Sequence, residues 1–114
     1  MDSFAAMGLM ILLNQALNVG ATTGFALSGT SATPQRFVFW QIVGSVFGFG
    51  TQLSFAGLVH FSSLEFANAI GIGLAFVSAQ IFSAYIFFHV PFTALQWFGT
   101  GLVFIGILCI ALGK

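Results

Sequence analysis

Four side chains, Asp2, Arg36, Glu65 and Lys114, are the whole set of Asp, Glu, Lys and Arg in this sequence, and they leave three long stretches without any such charge. A water-soluble domain keeps roughly a quarter of its residues charged. Here the share is 4%, against 59% hydrophobic residues and a mean hydropathy of +1.09. Uncharged stretches of that length have no solvated face to offer, so the solvent they fit is lipid. In hydrocarbon every backbone N–H and C=O must be paired inside the chain, which leaves helices and closed barrels. A barrel needs alternating segments of about 10 residues, whereas residues 98–112 are apolar or small throughout. At about 20 residues per crossing, the 114 residues hold four spans. The expected fold is an all-α membrane protein: one domain over residues 1–114, with four antiparallel transmembrane helices joined by short loops.

The spans are expected near 4–27, 37–58, 63–88 and 92–113. Ser28-Gly29-Thr30-Ser31-Ala32-Thr33-Pro34-Gln35-Arg36 reads as a small polar loop closed by a proline. Ser62 followed by Glu65 fits a capping box, with Ser62 as N-cap. Pro91 sits where a first-turn proline is tolerated and is expected to open the fourth helix. The start, Met1-Asp2-Ser3, lacks a basic n-region, so the first apolar stretch is expected to be a span rather than a signal peptide. Arg36 lies on one face, and Lys114 with the N-terminal amine on the other. That distribution gives almost no positive-inside bias, which fits dual topology or orientation by a partner.

Polar residues inside spans are the informative ones, since they usually face protein or water. Gln15, Asn18 and Thr22 share one face of the first helix, with Asn14 beside them. Gln41, Ser45, Gly48 and Gln52 share a face of the second. The third carries Asn68, Gln80 and Ser83, and the fourth Thr93, Gln96 and Thr100. Two readings stay open: a polar substrate path between helices, with Gln15, Asn18, Gln41, Gln52 and Asn68 as its candidates, or hydrogen bonds that hold helix to helix. Gly44 and Gly48, Gly71 and Gly73, and Gly99 and Gly106 are candidate packing or oligomer-interface positions, because small residues let backbones approach. Sixteen phenylalanines read as lipid-facing and gap-filling rather than as a pigment or quinone pocket. Trp40, Trp97 and Tyr85 lie toward helix ends, as interfacial aromatics do.

Enzyme chemistry lacks its parts. There are no paired carboxylates, no Ser/His/Asp set and no Cys/His cluster. His60 and His89 are expected in the second and third loops, on opposite faces, where they cannot share a metal. Cys109, the single cysteine, is expected to be a small apolar packing residue. No cofactor and no metal are expected, and nucleic-acid binding is excluded by the scarcity of basic residues.

His89-Val90-Pro91, Leu95-Gln96-Trp97-Phe98-Gly99 and Phe104-Ile105-Gly106-Ile107 are similar to the loop and last helix of small four-helix members of the drug/metabolite transporter superfamily. Gly71-Ile72-Gly73 resembles the glycine kink of their third helix. The resemblance is diffuse and covers nearly the whole chain. It extends to the small multidrug resistance-like and EamA-like groups, and is nearest to the small subunits that flip lipid-linked aminosugars. It implies a bacterial inner-membrane protein that works as a dimer, the fourth helices helping to hold it. The chain departs from the multidrug exporters where they carry a first-helix glutamate, since Gln15 stands there. Their third-helix tryptophan corresponds to Ala69, and a preceding tyrosine to Phe66.

The function expected is therefore that of a transporter-like homo- or hetero-oligomer that moves or helps to flip a neutral or lipid-linked substrate, without proton coupling through the first helix. The other reading is a non-transporting subunit of a larger respiratory or photosynthetic membrane complex. The bilayer and a membrane-protein partner are the partners implied.

Overall fold

The computed structural model describes residues 3–113, is 88% helical, and has no strand among them. Four helices follow one another: α1 (Ser3–Gly29), α2 (Pro34–Phe61), α3 (Leu64–Phe87) and α4 (Ala94–Leu112). Each is long and apolar enough to cross a membrane.

The helix ends follow side-chain chemistry more closely than the apolar pattern does. Thr33 caps α2 by accepting the Arg36 N–H at 3.2 Å, with Pro34 in the first turn. The second helix therefore starts before the expected Phe37. At the next junction the cap is Ser63 rather than Ser62: its Oγ accepts the Phe66 N–H at 3.3 Å. Ser62 is already committed to ending α2, donating its hydroxyl to the Leu58 carbonyl at 2.6 Å. Glu65 falls one place short of the capping-box position, and the expected Ser62–Glu65 pair does not form. Pro91 lies outside α4. That helix opens at Ala94 behind a reciprocal box, in which Gln96 N–H donates to Thr93 Oγ at 3.2 Å and Thr93 N–H to Gln96 Oε1 at 2.9 Å. The box satisfies two orphan donors, whereas a proline merely lacks one.

The third helix is wider than an α-helix over Ala69–Leu74 and again over Ala79–Phe87, where it takes π geometry. Long π runs are rare, because i→i+5 bonds widen the turn and leave neighbouring carbonyls poorly engaged. The first run contains Gly71-Ile72-Gly73, and its glycines accept close neighbours: a Cβ at Gly71 would stand 2.6 Å from Phe55, and one at Gly73 would stand 2.9 Å from Ile107. The second run ends at Phe87, and two residues on His89 has a φ of 56°, in the left-handed region. Histidine enters that region more readily than bulky or branched residues do. Phe88 N–H and Val90 N–H close the end on Ser83 O and Ala84 O at 3.0 and 2.9 Å. His60 sits in the last turn of α2 rather than in a loop.

The helices α1 and α2 make the most extensive contact in the molecule. Gly24 lies against the Gly44 backbone, Gly20 against Phe47, Gly50 against Leu17, and Gly57 against Met10. One end of this series brings late α1 to early α2, and the other brings early α1 to late α2. Next, α3 packs across α1, and α4 packs principally on α3. The result is a slab of 48 × 34 × 20 Å with α4 at one edge. Tyr85, Phe92 and Trp97 tie the end of α3 to the start of α4, their ring centroids 5.0–6.3 Å apart. A small core gathers Leu58, Ala67, Ala69, Ile70, Val77 and Ile107. The outside is apolar: Leu12, Val46, Ile72 and Leu95 are 66–78% exposed. At about 25 cal/mol per Å2 of apolar surface, such an exterior is costly in water and at home in lipid.

Candidate functional site

Polar side chains meet at mid-length, where α1 passes between α2 and α3. Asn14 is fully buried there. Its amide nitrogen donates to Ser54 Oγ at 2.9 Å and to the Thr51 carbonyl at 3.2 Å, both on α2. Gln15, the next residue, turns to α3. Its Nε2 donates to Asn14 Oδ1 at 3.1 Å and to the Ile70 carbonyl at 2.9 Å, while its Oε1 accepts the Ser78 hydroxyl at 2.6 Å. Hydrogen bonds thus run unbroken from Ser54 through Asn14 and Gln15 to Ser78, joining three helices.

One turn further along α1, Asn18 donates to the Ala75 carbonyl at 3.1 Å; beyond it Thr23 donates to Ser83 Oγ at 3.0 Å. Ile70 O lies in the first π run, and Ala75 O in the short α segment between the two; each also accepts a backbone N–H within α3. Every buried side-chain N and O atom among the described residues has a partner.

Beside this network runs a groove of about 430 Å3, open on one side, between α1 and α3. Leu12, Ala16, Val19 and Phe82 form its walls, and Gln15 and Ser78 bring the only polar side chains to its lining. The groove has no ionisable side chain in its lining. Its chemistry is that of an apolar trough with one neutral amide–hydroxyl pair.

Of the five path residues expected from sequence, the structure brings Gln15 and Asn18 together on the α1–α3 seam. Gln41 lies elsewhere, donating to Ser28 Oγ at 2.6 Å near the far end of α1, about 20 Å along from Gln15 by helical rise. Gln52 and Asn68 are exposed on α2 and α3. The seam also uses Asn14, Ser54, Ser78, Thr23 and Ser83. Of these, Asn14 and Ser83 stood out in sequence as polar residues in spans. Thr23 was passed over for its neighbour Thr22, since helical spacing alone does not decide between adjacent positions.

The glycines divide in the same way. Gly44, Gly71 and Gly73 sit under close neighbours, and so does Gly24, whose GxxxG spacing with Gly20 is the sequence signal for it. Cβ atoms at Gly48, Gly99 and Gly106 would meet nothing within 4 Å inside this chain. The polar residues of α4 serve that helix itself: Thr93 and Gln96 cap it, and Thr100 Oγ returns to the Gln96 carbonyl at 3.0 Å.

No protein-family model, curated protein or solved structure matches this chain.

Proposed function

We propose that the four helices cross a bilayer as an antiparallel bundle, and that the protein is a transporter-like subunit which helps a neutral or lipid-linked molecule move along the α1–α3 groove. The observation that carries this reading is the groove itself: an apolar trough between two helices, with the Gln15–Ser78 pair as its polar lining. Such a surface suits an uncharged or acyl-bearing molecule. An ion would have to shed water there with nothing to replace it. Gln15 has no proton to exchange, so movement is independent of a proton gradient. The groove is open, and a second copy or a membrane partner would complete its outer wall. The resemblance described above suggests the bacterial inner membrane as the setting.

A second reading, a non-transporting subunit of a larger membrane complex, draws on a different observation. Each amide of the seam is already committed to another helix, as it would be in a spacer. Reconstitution in liposomes separates the two. With a tail-labelled phosphatidylcholine and an impermeant quencher, the protein is expected to accelerate exchange between leaflets. Ala16→Phe, which fills the groove, should reduce that exchange, and an imposed pH step should leave it unchanged. Exchange no faster than in protein-free liposomes would favour the spacer.

A further inference from the structure

Glu65 is the one acidic side chain among the described residues, and it stands at the start of α3 beside the end of α4. Two adjoining hollows share it. One, of about 370 Å3, is bordered by Ser62, Ser63, Glu65 and the last turn of α4 from Ile110 to Gly113. The other, of about 570 Å3, leads from Glu65 and Asn68 along the α3–α4 seam over Gly73, Gly106 and Val103. Glu65 and Ile110 border both, so the two hollows lie side by side. Their chemistry changes from one end to the other: carboxylate, hydroxyls and a side-chain amide at the mouth, then glycine and aliphatic surface.

We propose that this pair of hollows binds a phospholipid with a primary-ammonium headgroup, its ammonium on Glu65 and an acyl chain in the trough over Gly106. Three features point to this occupant. Glu65 is exposed, and its side chain has no hydrogen bond or ion pair among the described residues, so its carboxylate is free to accept. The end of α4 borders the same hollow and carries partial negative charge, while the start of α3 borders it with partial positive charge. A zwitterionic headgroup is matched by both: its ammonium by Glu65 and the end of α4, its phosphate by the start of α3. Below the mouth, Gly106 leaves the floor open, while Gly73 lets Ile107 close against α3. An acyl chain gains dispersion contacts along such a floor. A primary ammonium also donates hydrogen bonds to the carboxylate and to Asn68, which a choline headgroup cannot. The site lies apart from the α1–α3 groove and stands whether or not the protein moves a substrate.

The test is lipid retention by the full-length protein, released from nanodiscs containing equal phosphatidylethanolamine, phosphatidylcholine and phosphatidylglycerol and read by native mass spectrometry. Phosphatidylethanolamine should be retained roughly tenfold over each of the others, the scale of one charge-assisted hydrogen bond. Glu65→Gln, at an exposed position, should bring that preference to within about twofold with an unchanged melting temperature. Gly106→Phe should remove the retained lipid whatever its headgroup; if that variant does not fold, Val103→Trp at the rim replaces it. Equal retention of phosphatidylethanolamine and phosphatidylglycerol would overturn the proposal. So would retention of phosphatidylcholine equal to that of phosphatidylethanolamine, or a preference that survives Glu65→Gln.

Discussion

Asn14 shows how much one polar residue decides in an apolar chain. It is 0% exposed and touches α2 directly and α3 through Gln15. Leucine fills nearly the same volume but donates nothing: one Gln15 donor loses its acceptor, while Ser54 loses the bond it accepts and keeps its own to the Thr51 carbonyl at 2.9 Å. Losing a buried partner costs about 1–3 kcal/mol, whereas a single interhelical bond in a membrane averages about 0.6 kcal/mol. Asn14→Leu should therefore destabilise the fold by more than Asn18→Leu, which breaks one bond to the Ala75 carbonyl. Unfolding in mixed micelles, with denaturing detergent as titrant, measures both. Equal losses would mean that the three-helix junction carries no special weight. From sequence, Asn14 was visible as a neighbour of the Gln15–Asn18 face. Its place at the junction was not, since consecutive residues on a helix point about 100° apart and only packing shows which interhelical space each enters.

Packing between elements rests on glycines that the motif pattern sorted only partly. A Cβ at Gly24 would stand 2.9 Å from the Cα and N of Gly44, which are backbone atoms that cannot turn aside. At Gly44 the obstacle is the Phe25 ring, a side chain that is 41% exposed and has room to rotate. Gly48, which completes the GxxxG spacing with Gly44, faces open space. Gly24→Leu should thus separate α1 from α2 and cost about 1–3 kcal/mol, in the usual range of overpacking, while Gly48→Leu leaves the protomer's stability unchanged. The same micelle titration checks the pair, and a reversed order would mean that α1 and α2 meet on another face. The π runs of α3 belong to this scale too. Gly71-Ile72-Gly73 marked a weak place in the helix. Where it widens it meets neighbours distant in sequence: Phe55 and Ile107 against the glycines, and the Gln15 amide on the Ile70 carbonyl.

At the scale of the molecule, α4 is the element least used by its own chain. It rests principally on α3; Cβ atoms at Gly99 and Gly106 would meet no close neighbour within the protomer, and Cys109 is exposed. Seven residues make nearly two turns, so both glycines lie on one side; with the lipid trough over Gly106, the protein contact falls at the Gly99 end. With lipid tails as apolar as leucine, association in the bilayer depends on close backbone approach. A thiol crosslinker acting through Cys109 should trap a pair of protomers, or a protomer with its partner, in native membranes. Gly99→Leu should lower that yield while the protomer's melting temperature holds. A native protein that never crosslinks, with a mutant that unfolds, would return these glycines to the interior of the bundle.

Charge placement alone determined that this chain is built from four apolar helices. Hydrocarbon leaves the backbone few ways to pair its polar groups, and stretches free of charge and of alternation exclude all but one. The approximate helix limits came from the small polar loop at 28–36, the prolines and the serine caps. Tertiary structure decided what periodicity leaves degenerate. Adjacent helical positions such as Thr22 and Thr23 differ only in direction, and direction has meaning only against a packed neighbour. Serine at either of two successive places can cap, and the choice of Ser63 followed from Ser62 being held by Leu58 of the preceding helix. Gln41, Gln52 and Asn68 looked in sequence like members of one path with Gln15 and Asn18. Gln41 is separated along the axis, because early α2 lies beside late α1. Gln52 and Asn68 are exposed on their own helices, and which faces meet is decided by contacts such as Gly24 on Gly44 and Phe55 on Gly71, which no local pattern specifies.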